Sequence, residues 1–157
     1  MGADAYTVLT CPTWALDVPA IRDALAAEAP ERVTAEPDGT TTVAGTTVDG
    51  TFAALEAALA AAAIAFDRWT EDPGTGAWDT CVRRIFRPPG PAGPGCDVTI
   101  PVTRANVPCL RLDQWDALAA VPQGPITWAD VQHALGLDQP AVADWARAHC
   151  PASRERS

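Results

Sequence analysis

The chain has 157 residues, 48% of them apolar, and carries a formal net charge of −9. That length fits one domain burying roughly two-thirds of its unfolded surface. No uninterrupted apolar run approaches bilayer-spanning length, so a membrane-spanning role is excluded at this level.

The charge is unevenly placed. Residues 1–60 carry nine acids against Arg22 and Arg32, giving −7, and the rest carries eleven acids against nine Arg, giving −2. An acidic half repels phosphate and favours solubility or a basic partner surface. Every basic side chain is Arg, which with abundant Ala, Pro and Gly reads as the coding bias of a high-GC bacterium or its phage. Five irregularly spaced Cys and the absence of a basic-then-apolar leader make a reducing cytoplasm the expected setting.

In chain order, Tyr6–Thr10 is a β-rich run stopped by Cys11-Pro12. Asp17 is the expected N-cap of a helix with Pro19 in its first turn, running to about Ala29. Residues 31–36 and 40–48 read as strands around the turn Pro37-Asp38-Gly39, with a further turn near Ala44-Gly45 able to split the second. Asp49 or Thr51 is the expected cap of a helix whose stripe is Phe52, Leu55, Leu59 and Ala62. Ile64–Trp69 alternates as a strand with Phe66 inward and Asp67 outward. After a Gly/Pro loop, 78–87 is a strand unusually rich in Arg, and 97–103 is an edge strand containing Pro101. From Leu110 the pattern turns helical, with Leu112, Trp115 and Leu118 on one stripe, and two further helices follow.

The order β-α-β-β-α-β-β-β, then α-α-α, predicts an α+β fold: a mainly antiparallel sheet with helices on one face and a C-terminal helical segment. One domain is expected over 1–150, with 110–150 as a candidate small helical lobe and 151–157 as a mobile tail. Trp69, Trp115 and Trp145 fall on apolar stripes and are expected in the core.

Residues 126–150 (ITWADVQHALGLDQPAVADWARAHC) place Thr127 at a first helix, Gly136 at a tight turn and Leu137 in the corner. Asp138 is then the cap of a second helix, with Val142 and Trp145 facing back. This segment resembles the helix-turn-helix motif of bacterial DNA-binding proteins, departing from it at Gln132, where the family carries a small Ala. The resemblance implies a transcriptional regulator with Gln139 and Arg147 as the DNA-contacting residues. Against it stand Asp130, Asp138 and Asp144, which oppose Arg147, Arg154 and Arg156 and remove the cationic surface a phosphate backbone requires.

Four of the eleven Arg, namely Arg68, Arg83, Arg84 and Arg87, fall within twenty residues. Strand alternation puts Arg83 and Arg87 on one face and Arg84 on the other. They are either a contact for an anion or an acidic partner, or the counter-charges of Asp67, Glu71, Asp72 and Asp79. Trp14 and Trp78 lie beside loops and suit a binding hot spot. His133 and His149 lack the paired spacing of a metal site, and none of the common hydrolase, nucleotide or zinc motifs occurs.

The resulting expectation is a small acidic non-enzymatic binding protein acting by protein–protein contact, of inhibitor, immunity, anti-defence or accessory type. Its candidate contacts are Trp14, Trp78, Arg83, Arg84 and Arg87, with no metal and no cofactor. The alternatives are a helix-turn-helix regulator and an enzyme of unknown chemistry.

Overall fold

Alternation along the first strand decides how the sheet faces its helices. In the structure, a computed structural model describing residues 4–71, 80–90, 95–105, 109, 127, 129, 131–132 and 138–151, β1 spans Asp4–Pro12. Ala5, Thr7, Leu9 and Cys11 are buried, whereas Tyr6, Val8 and Thr10 are half-buried on the other face. A 3-10 turn (Thr13–Asp17) leads into α1 (Pro19–Glu28), then β2 (Arg32–Ala35), β3 (Thr40–Val48) and α2 (Ala53–Ala61). β4 (Phe66–Glu71), β5 (Thr80–Arg87), β6 (Cys96–Thr103) and α3 (Val142–His149) complete the described elements.

The six strands form one antiparallel sheet in the order β2-β3-β1-β4-β5-β6. Leu9 sits between Val43 and Arg68, and Phe66 lies opposite Phe86. On that face Leu9, Val43 and Phe66 meet Ile21 of α1, Leu55 and Leu59 of α2 and Trp145 of α3 in one buried cluster. Each such large side chain, fully buried, contributes about 1.5–3 kcal/mol. The α+β reading holds, and the described helices share one face. The opposite face is also buried at the β5–β6 end, where Cys81, Ile100 and Val102 form a second cluster with Trp69 and Val98.

Turn chemistry accounts for the hairpins. Gly39 N–H donates to Glu36 O (3.2 Å) and Glu36 N–H to Thr40 O (2.8 Å), with Gly39 at φ 85°. This is a three-residue loop closed by a left-handed glycine, locked by Asp38, whose Oδ1 accepts from Thr40 N–H and Oγ1. The expected split at Ala44-Gly45 does not occur. β3 runs unbroken, and Gly45 is small because the Glu31 backbone crosses it, 3.0 Å from where a Cβ would stand.

The helix starts differ from expectation: α1 and α3 have no side-chain cap, and only α2 takes carboxylates, from Glu56 and Glu28. α1 begins at Pro19 with Val18 as N-cap, and Asp17 belongs to the preceding 3-10 turn. α2 is capped by neither Asp49 nor Thr51. Phe52 takes the N-cap position, its N–H donating to Glu56 Oε1 (3.2 Å), and Ala54 N–H donates to Glu28 Oε1 of α1 (2.6 Å). α3 starts at Val142, with Ala141 rather than Asp138 at its cap. Trp145 is in the core as expected, but Trp69 lies half-buried on the opposite face of the sheet. The expected helix from Leu110, Trp115, and the tail at 152–157 lie outside the described residues.

Cys11 has no solvent exposure, and desolvation pushes its thiol up to about 12. The unfolded chain releases this proton near 9.0, so between those values the unfolded state binds fewer protons and stability falls as pH rises. Urea midpoints measured across that window are expected to decline, and the decline is expected to shrink in Cys11→Ala. A Cys11 alkylated by iodoacetamide in the native state at about pH 8 contradicts this burial.

Candidate functional site

The Arg-rich strand was the strongest chemical signal in the sequence, and the sheet divides it as alternation requires. On the helix face, Arg84 grips Asp97 in a two-pronged fork, Nε to Oδ1 and Nη2 to Oδ2 at 2.8 Å each. Its Nη1 donates to Glu56 Oε2 at 2.7 Å, and the guanidinium lies 5.3 Å from the Phe66 ring centroid. The same carboxylate receives Arg68 Nη1 at 2.9 and 3.1 Å. Glu56 and Arg68 are 3% and 7% exposed, so this is a buried ion cluster. Arg84's hydrogen bonds hold the Asp97 carboxyl below the usual carboxylate range, and Asp97 in turn raises the Arg84 guanidinium.

On the opposite face Asp67 bridges Arg83 (2.8 Å) and Arg87 (2.7 Å). The neutralising partners are therefore Asp67, Glu56 and Asp97. Of the acids expected in that role, Glu71 makes none of these pairs, and residues 72 and 79 lie outside the described residues. Glu56 and Asp97 were missed because they come from α2 and β6, far along the chain.

Arg87 does more than pair. Its Nε donates to Pro140 O (2.8 Å), and Nη1 donates to Phe66 O (3.0 Å) and Phe86 O (2.9 Å). One buried guanidinium thus ties β4, β5 and the segment before α3 together. Gly95, at φ 75°, passes so close that a Cβ would lie 2.5 Å from Arg87 O and from Pro89 N. Only glycine fits there.

Beside this clasp lies a half-open groove of about 760 Å³. Trp14 from the 3-10 turn stacks on Trp145 (centroids 6.0 Å, planes 24° apart), and Trp145 stacks on His149 (4.1 Å, 9°). Trp14 Nε1 donates to Ala146 O (3.3 Å), and His149 Nδ1 lies 2.9 Å from Trp145 O. Arg87, Pro88, Gln139 and Pro140 line the other wall. The groove brings together Trp14 and Arg87, both expected as partner contacts, with Gln139, which the sequence had assigned to the DNA-binding alternative. Trp145 and His149 were missed as groove residues, because their i, i+4 spacing reads as packing. Arg83 lines a shallower depression of about 330 Å³ on the opposite face with Val8, Thr10 and Trp69. Arg147 is on the exposed side of α3, paired with Asp144. Trp78 and His133 lie outside the described residues.

α3 buries Val142, Trp145 and Ala146 and exposes Ala141, Asp144, Arg147 and Ala148. Of the first helix of the helix-turn-helix-like segment, Val131 N–H donates to Thr127 O (3.2 Å), and the intervening turn at 133–137 lies outside the described residues. Among the described residues no three His, Cys, Asp or Glu gather as metal ligands, and no helix is long and apolar enough to cross a membrane. The groove offers aromatic faces, prolines and a guanidinium already engaged by a carboxylate. Comparison with family models, curated proteins and solved structures found no match to this chain.

Arg87→Met leaves Asp67 and three carbonyls without this donor and is expected to cost about 2–4 kcal/mol in urea unfolding. Arg147→Met, which breaks an exposed pair, is expected to change stability by under about 1 kcal/mol. Equal losses would contradict the clasp.

Proposed function

We propose that the protein is a small acidic binding protein without catalytic chemistry that works by protein–protein contact. The inhibitor, immunity, anti-defence or accessory-subunit roles of a high-GC bacterium or phage cytoplasm fit this description. The observation that carries the reading is where the charge is neutralised. Arg68, Arg83, Arg84 and Arg87 are all engaged by carboxylates within the fold. Asp17, Asp23, Glu31, Asp38 and Asp49 stand exposed. Hydrogen bonds from Thr46 to Glu31 and from Thr40 to Asp38 lower those two carboxyl pKa values, so both stay ionised at neutral pH. A basic protein surface is drawn to such a field, and a phosphate backbone is repelled by it.

The groove supplies what charge does not. Trp14, half-buried, presents a ring held rigid by stacking on the buried Trp145, the kind of anchor that dominates protein interfaces. The DNA-binding alternative gains little support, because Arg147 is held by Asp144 and Gln139 is half-buried in the groove wall.

Two titrations at about 50 mM salt separate the readings. Poly-arginine, a stand-in for a basic partner, is expected to bind with salt-sensitive affinity and to slow hydrogen exchange in α1 and the β2–β3 turn. A labelled DNA duplex is expected to give no saturable signal. Saturable duplex binding with a steep salt slope would reverse the assignment in favour of the regulator.

A further inference from the structure

The open edge of the sheet at β2 is a separate surface from the groove. Among the described residues β2 pairs with β3 alone and ends the strand order. All four of its residues are exposed, Val33 to 47%. The hairpin fixes which backbone groups look outward. Glu36 N–H bonds to Thr40 O, so antiparallel alternation makes Thr34–Thr42 and Arg32–Ala44 the next hydrogen-bonded pairs. The N–H and C=O of Val33 and Ala35 therefore point away from β3. The same alternation puts the side chains of Arg32, Thr34 and Glu36 on one face of the sheet and those of Val33 and Ala35 on the other.

An unpaired edge is a template for another strand. The geometry points to a second copy of this chain as that strand, its β2 laid antiparallel about a two-fold axis through Thr34. In this register Val33 of each copy meets Ala35 of the other as a hydrogen-bonded pair, so all four outward N–H groups and all four outward C=O groups of the two copies are used. Arg32 then stands directly opposite Glu36 of the second copy, twice by symmetry. Neither Arg32 nor Glu36 makes an ion pair among the described residues. Neighbouring registers do worse. One sets Arg32 against Thr34, and the other sets Val33 against Pro37, which has no N–H to give.

The contact is short and the net charge is −9, so the dimer is weak and reversible. At physiological ionic strength the long-range repulsion between copies is screened beyond about 8 Å. The inference stands independently of the partner-binding reading.

Sedimentation equilibrium at about 0.15 M salt is expected to show a monomer–dimer equilibrium. Arg32→Glu or Glu36→Arg alone turns two attractive pairs into two repulsive ones and is expected to raise the dimer Kd about tenfold or more. The double variant R32E/E36R is expected to restore it. Ala35→Pro removes an N–H that β3 does not use, so the fold is retained by circular dichroism while the dimer is lost. A monomer at every concentration overturns the proposal. So does a dimer indifferent to the single swaps and to Ala35→Pro, or a double variant as weak as the singles.

Discussion

The Glu56 carboxylate is shared by two guanidinium groups inside the protein, and much of the architecture is arranged around that fact. It sits on α2, receives Arg68 from β4 and Arg84 from β5, and accepts the Phe52 N–H that begins its own helix. Through Arg84 the network reaches Asp97 on β6. One buried anion thereby fixes the register of α2 against three strands. A charge so placed is stable only while its partners stay, because an uncompensated buried ion costs several kcal/mol. Arg68 Nε, buried without a partner, shows that even this arrangement is not fully satisfied.

The mirror cluster on the other face, Asp67 with Arg83 and Arg87, does the same for the sheet's far end and for α3. The clasp at Arg87 holds the segment that places Trp145 against Trp14. The groove therefore inherits its shape from charge pairing beneath it. What is left for the surface is the unneutralised acid of the first sixty residues and the bare edge of β2. As proposed above, the first is assigned to a basic partner and the second to another copy of the same strand.

Strand alternation and turn chemistry were legible in the sequence, as at Phe66 and Asp67 and at Pro37-Asp38-Gly39. The alternation of Arg83, Arg84 and Arg87 placed their faces without any structure. Local rules failed where the decisive group is distant. No neighbour of α2 announces that Glu28 of α1 caps it, and nothing near Gly45 reveals the crossing of Glu31. Glu56 counted only as one of the nine acids of the first sixty residues. Trp69 counted as core from its stripe, yet the stripe belonged to the opposite face. The groove was legible only in fragments, since its walls come from the 3-10 turn, the end of α2, the end of β5 and α3.

Removing the Glu56 carboxylate tests most directly whether the arginines serve the fold. Urea unfolding of Glu56→Ala is predicted to lose about 3–5 kcal/mol, the cost of leaving Arg68 buried and uncompensated while Arg84 keeps only Asp97. A loss below about 1 kcal/mol, the scale of an exposed surface pair, would contradict the account and return the arginines to the list of groups available to a partner.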